Sequence, residues 1–182
     1  MKLDMEAVFT GKASYADIIR DVKQSDLRVF TSELFDEIES IIAGATDAQV
    51  TFVSHDPAAR EPGEQGWPIS HAIAHLTASM ESAAVGAAMM ARGVSPKERL
   101  SYETPWETLQ QADQVRARLK ESRRMCEAFL NAWPDQPHLD VMATPIPPLG
   151  PMNAIGVYML GIGHGQSHLP QLHEIMRQSS AV

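Results

Sequence analysis

A chain of 182 residues with a formal net charge of −8 and 44% hydrophobic residues argues against several classes of function. The acidic balance disfavours a nucleic-acid backbone or an anionic membrane surface as partner. The length suits one domain, expected to span residues 1–182, and the apolar content is enough to fold a core.

The first residues, MKLDMEAVF, carry acidic side chains where a secretion signal would carry an apolar run. The most apolar stretch, residues 152–162, is well short of the roughly 20 residues that a bilayer span needs. A soluble, cytoplasmic protein is expected. Ten Met and many Ala, against three Tyr and five Phe, favour helix.

Four long helical patterns account for most of the chain. The first covers residues 14–43, where Ile18, Ile19, Val22, Phe30, Leu34, Ile38, Ile41 and Ile42 recur at three- and four-residue spacing. A break near Gln24 is allowed, with Ser25 as the N-cap of a second segment. The pattern ends at Gly44, and a loop rich in turn formers follows over residues 54–66. The second helix starts at Trp67-Pro68 and runs to Arg92, with Gly93 as its stop. Its inner face carries Ile69, Ile73, Leu76, Met80 and several alanines, which imply close approach of a neighbouring helix. The third opens on TPWE, residues 104–107. Thr104 reads as N-cap, Pro105 as first helical residue and Glu107 as the partner in a capping box. Its stripe is Trp106, Leu109, Val115, Leu119, Met125 or Cys126, Phe129 and Leu130, and Pro134 ends it. A proline-rich connection leads to the fourth helix, residues 153–177. The segment GVYMLGIGHG could also enter a glycine turn as a strand, yet it lacks G-x-G-x-x-G and any βαβ surroundings. The economical reading is an all-α protein, a four-helix bundle. Its single cysteine, Cys126, excludes an intrachain disulfide and reads as a small buried core residue.

Among the seven histidines, His71 with His75 and His164 with His168 have i, i+4 spacing. Random placement at this composition would give only about a quarter of one such pair. Residues four apart on a helix share a face, with Cβ atoms roughly 6 Å apart. Two imidazoles so placed can ligate one ion if a third ligand comes from elsewhere. An isolated histidine is usually structural or solvated, but burying two adjacent imidazoles is costly unless both are hydrogen-bonded or metallated. Several known arrangements are absent. H-E-x-x-H fails because residue 165 is Gly, no histidine has Glu three residues before it, and there is no C-x-x-C-H. What survives is a three-histidine mononuclear site, with His75 from the second helix and His164 and His168 from the fourth. Three imidazoles leave a coordination position for water or substrate, the pattern of a catalytic site.

These segments resemble the DinB/YfiT-like superfamily of metal-dependent enzymes. GWPISHAIAHL, residues 66–76, is similar to a tryptophan-to-histidine motif whose ligand follows the tryptophan by eight positions, here His75. HGQSHLPQL, residues 164–172, is similar to the C-terminal H-x-x-x-H motif and its following glutamine, here Gln171. The resemblance runs from about residue 25 to residue 178. It implies a four-helix bundle with a three-histidine site, commonly dimeric. Members include S-transferases that use bacillithiol or mycothiol and a mycothiol-dependent maleylpyruvate isomerase, and others have no established activity. His71 matches a histidine of the mycothiol-dependent branch. It is therefore a candidate catalytic residue as well as a candidate hydrogen-bonding support for the site. Pro170 departs from the small residue common at that position. It is expected to kink the fourth helix just after His168, either re-aiming that ligand or bending the helix passively.

A neutral three-imidazole site keeps the full charge of a divalent ion, which lowers the pKa of bound water or holds a thiol as thiolate. One reading is an enzyme, a thiol S-transferase or a hydrolase, acting on a small-molecule substrate. Its metal would be Zn, Ni, Fe or Mn, with a low-molecular-weight thiol as cosubstrate and a homodimer as the assembly. Another is a non-catalytic metal-binding or sensing bundle. A third is a metal-free structural dimer with hydrogen-bonded histidines. Arg92 and Arg99 are candidate anion anchors, although Arg92 equally suits a helix C-terminus and Arg99 a solvated turn. Glu81 and Glu107 are weaker candidates as helpers. Trp67 and Trp106 read as core anchors at helix starts, and His55 and His138 lie in loops that could approach the metal.

Overall fold

The computed structural model describes residues 3–56, 65–96 and 102–181. Seven α-helices occur among them: α1 (Met5–Phe9), α2 (Tyr15–Ile18), α3 (Gln24–Ile42), α4 (Asp47–Thr51), α5 (Ile69–Ala91), α6 (Ala112–Asn131) and α7 (Ala154–Gln178). The four long ones, α3, α5, α6 and α7, form a closed ring in which α3 and α5 each pack against both α6 and α7. The described residues contain no strand, and one isolated antiparallel bridge joins Ala143 to Met152. None of the described helices is long and apolar enough to cross a membrane.

Helix directions follow from which residues meet. His75 faces His164, Ala83 faces Gly161 and Gly86 faces Val157, so α5 and α7 run antiparallel. On the opposite side, Arg123 reaches Ser32 and Asp36 while Arg116 reaches the Ala45 carbonyl, so α3 and α6 are antiparallel too. Glu81 pairs with Arg118 and Arg92 with the Ala132 carbonyl, which makes α5 and α6 parallel. The order is therefore up-down-down-up. Two parallel consecutive helices need a connection that travels the length of the bundle. The connection lies between residues 92 and 111, and its described part from residue 102 onward passes the N-terminal end of α5, with Glu103 and Trp106 against His71.

The amphipathic stripes place the core as expected. Leu27, Leu34, Phe35, Ile38 and Ile42 of α3 and Val115, Leu119, Cys126 and Leu130 of α6 are buried, with Cys126 rather than Met125 at the ambiguous position. Burial pushes the Cys126 thiol up to about 12, as an inert core residue requires.

Helix starts differ from the sequence reading at α3 and at α6. The first pattern splits into α2 and α3, and the cap of α3 is Lys23 rather than Ser25, because the Asp26 carboxylate accepts the Lys23 amide at 2.9 Å. The TPWE segment makes only a 3-10 turn, Trp106–Thr108, with no side-chain cap. Leu109 leaves helical geometry at φ −92°, ψ 72°. α6 starts at Ala112, where the Gln114 side-chain oxygen accepts from the amides of both Gln110 and Gln111. The helices α1 and α4 were not foreseen. Each is a single short turn or so, begun by a side-chain cap from Asp4 or Thr46.

The fourth helix matches its expected span, with the Asn153 side chain accepting from the Gly156 amide. It runs unbroken through Pro170, so the proline does not end or divide it. Pro170 lies on the exposed side, where water can replace a missing backbone donor.

Candidate metal centre

Two glycines of α7 determine how closely its neighbours approach. A Cβ on Gly161 would stand 2.8 Å from the Ala83 Cβ and 3.3 Å from the Met80 Cα, and one on Gly165 2.7 Å from the Leu34 Cδ2. Their absence lets α7 sit close to α5 and α3, with His164 between the two glycines and His168 one turn on. The glycines around these histidines thus serve close helix contact.

His75, His164 and His168 come together, each offering one ring nitrogen, with those atoms all within 4.8 Å of one another. The Nε2 atoms of His75 and His164 are 3.1 Å apart, and those of His164 and His168 3.2 Å. Adjacent ligand atoms on a tetrahedral or octahedral ion with bonds near 2.05 Å would be about 2.9–3.4 Å apart, so the spacing is that of a coordination sphere.

The outer nitrogens explain the orientation. His75 Nδ1 lies 3.1 Å from the Glu103 Oε2 and His168 Nδ1 2.7 Å from the Gln171 Oε1. A carboxylate only accepts, so the His75 proton sits on Nδ1, and Gln171 presents its oxygen to His168 in the same way. Both Nε2 atoms are then bare lone pairs. His164 has at most one proton for Nε2 and two such neighbours, so hydrogen bonding within the trio satisfies one contact fully and leaves the other as lone pair against lone pair. A cation among the three nitrogens removes that conflict, and the donor set therefore fits a divalent ion. Burial holds His168 below the ordinary imidazole range, keeping it in the neutral form that ligation needs; the Gln171 hydrogen bond opposes that shift and nearby His75 adds to it. The Gln171 bond fixes the orientation of the His168 ring.

His71 has a different setting. Its ring stacks on Trp67 at 4.1 Å between centroids and on Trp106 at 5.1 Å, and its Nε2 is 3.7 Å from the Glu103 Oε1. Glu103 thus lies against both histidines of α5. Trp67 also faces His75 at 5.1 Å and His168 at 6.1 Å. The two tryptophans, read from sequence as core anchors, are half-buried walls of the histidine cluster as well. Glu103 was not foreseen, because nothing local marks it. It arrives on the long α5–α6 crossover, together with Trp106.

The remaining candidates lie elsewhere. The Gln178 side chain holds His55 at the far end of α7, its Oε1 accepting from the His55 amide and its Nε2 donating to the His55 carbonyl. The His138 amide donates to the Ala91 carbonyl, 16 residues and so about 24 Å along α5 from His75. Arg92 donates to the C-cap carbonyl of α6 at that same end, so it is no anion anchor for the cluster. Glu81 is held by Arg118 in a largely buried ion pair. Glu107 forms no capping box, and its carbonyl takes a hydrogen bond from the Gln110 side chain. Arg99 lies outside the described residues.

An up-down-down-up helical bundle with three histidines from two antiparallel helices converging near one end defines a class. A family model described as the DinB superfamily matches residues 31–172, and the chain belongs to that superfamily. No curated protein and no solved structure gives a match.

Proposed function

We propose that the three-histidine cluster holds one divalent metal ion, of Zn, Ni, Fe or Mn type, and that the protein is an enzyme using it to activate a low-molecular-weight thiol or a water against a small electrophile. The observation that carries this reading is the convergence of His75, His164 and His168, with the His164 Nε2 at ligand spacing from the Nε2 of each of the other two and the outer nitrogens of His75 and His168 engaged by Glu103 and Gln171. Such an ion, when bound, supplies Lewis acidity and lowers the pKa of a thiol or water at its open position. The chain's own groups do the rest. Glu103 accepts a hydrogen bond from the His75 Nδ1–H and so keeps the Nε2 lone pair turned to the ion. Gln171 does the same for His168. His71, between two indoles and beside the Glu103 carboxylate, can take or give a proton at Nε2. Trp67 and Trp106 shield this edge of the cluster from water. A homodimer is the assembly that accompanies the reading.

The test is turnover. Metal-loaded protein is mixed with monobromobimane and, in turn, a panel of low-molecular-weight thiols, and the rate above background is compared with that of a His71→Ala variant. A thiol-dependent rate that falls at least about tenfold in the variant agrees with general acid–base work by His71. A full metal complement with no turnover of any thiol, and none of p-nitrophenyl esters offered separately as substrates for water, would refute the enzyme reading and leave a metal-holding bundle.

A further inference from the structure

A cavity of about 560 Å³ opens beside the histidine cluster, between α5 and α7, with His75 and His164 on its wall. Its size falls in the range of pockets for small organic ligands. Among the described residues that line it there is no Asp, Glu, Lys or Arg. The surface is instead Ala83, Gly86 and Met89 from α5 and Val157 and Leu160 from α7, with hydroxyls from Ser79, Ser82, Thr144 and Ser167.

The walls are built rather than accidental. α1 covers one side with Met5 and Phe9, and the segment carrying Pro145 and Ile146 covers another. That segment is a closed strap. Ala143 and Met152 exchange two backbone hydrogen bonds of 2.9 and 2.8 Å, and Pro145, Pro147, Pro148 and Pro151 stiffen what lies between. Phe9 is 74% and Ile146 40% exposed, which leaves apolar side chains facing water around the same cavity.

We infer that this cavity receives the body of the substrate, and that the body is an uncharged, mainly apolar organic chain or ring whose one polar head group reaches the three imidazoles. The inference rests on the metal centre proposed above, since the head group is what that centre would hold. A carboxylate or ammonium on the body would lose its water shell with no counter-charge among the described lining residues. The hydroxyls can bond a neutral oxygen or nitrogen along the way. The site thus separates a polar edge, formed by Glu103, His71 and the two tryptophans, from an apolar channel on the other side of His75 and His164.

Two arms test it. In the first, metal-free protein is titrated with Nile red, a neutral apolar dye, and with a Gly86→Leu variant whose fold is checked by circular dichroism. A Cβ at Gly86 would stand 3.6 Å from the Val157 Cγ1, an ordinary contact, so a side chain can start there, and from this lining position leucine is expected to take up cavity space. One-site binding, weakened at least about tenfold in the variant, is expected from the loss of apolar contact area. Binding that is absent, or indifferent to a folded variant, overturns the inference. In the second arm, zinc-loaded wild type is titrated with straight-chain alkyl hydroxamates from acetyl to nonanoyl. Each added methylene should tighten binding roughly three- to fourfold until the cavity is full. Exchanging the terminal methyl for a carboxylate should weaken it at least about tenfold. A flat series, or a carboxylate bound as well as the methyl, overturns the inference without any variant. If zinc fails to bind while the dye arm succeeds, the metal reading falls and the apolar cavity stands.

Discussion

The two histidine pairs have the same spacing, yet the structure uses them differently. His164 and His168 both turn to the centre, whereas His75 joins them and His71 lies between two indole rings. Spacing of four puts two side chains on a shared face, but only within about 40° of each other around the helix axis. What each ring then does depends on what the rest of the chain brings to it. On α7 the glycines at 161 and 165 let neighbouring helices come close, so both imidazoles meet His75. On α5 the crossover delivers Trp106 and Glu103 to the first turns, and His71 is captured there.

The largest expected difference is between the members of the α5 pair. His75→Ala should abolish stoichiometric binding of zinc in isothermal titration, whereas His71→Ala should keep it within about tenfold, the lower range for a group outside the ligand set. Equal losses in both would erase the distinction.

Next come the glycines. Alanine in place of glycine within a helix favours stability by about 1 kcal/mol, and an overpacked contact opposes it by about 1–3 kcal/mol. At Gly161 the new methyl meets a Cβ and a main-chain carbon of α5, which have little freedom to yield. At Gly165 it meets the far end of Leu34, which can rotate away. Gly161→Ala should therefore lower stability to urea by roughly 1–2 kcal/mol and weaken zinc binding by separating His75 from His164. Gly165→Ala should be close to neutral in both measurements.

The outer partners give a smaller effect. Glu103→Ala should weaken zinc binding by about 10- to 100-fold and Gln171→Ala by about tenfold, since a carboxylate raises ligand basicity more than an amide does. A carboxylate removed without change in affinity would make Glu103 a surface residue only. The smallest effect belongs to Cys126, 1% exposed and with its thiol pushed up to about 12. At pH 8 iodoacetamide should leave it unlabelled in the native protein and label it in urea.

The contrast between the pairs also marks how far the amino-acid sequence can be read. Local signals carried the fold well. The periodic stripes of α3 and α6 and the Gly93 stop are properties of short segments, and such signals located the four long helices. The histidine trio was legible because each member sits on a helix with a fixed face and two helices suffice to bring them together. Glu103 and the stacking of Trp106 on His71 were not. They depend on the path of the crossover between two parallel helices, a property of the whole bundle. The same path explains the misplaced start of α6: TPWE has good capping chemistry, but the chain there is still travelling over the end of α5.

The most direct measurement is the metal content of protein purified without a polyhistidine tag and reconstituted in turn with Zn, Ni, Fe and Mn, set beside the His164→Ala/His168→Ala variant. About one divalent ion per chain in the wild type and none in a folded variant is the predicted result, as three imidazoles at ligand spacing require. Wild-type protein that takes up none of these ions, or a double variant that retains them, would contradict the account.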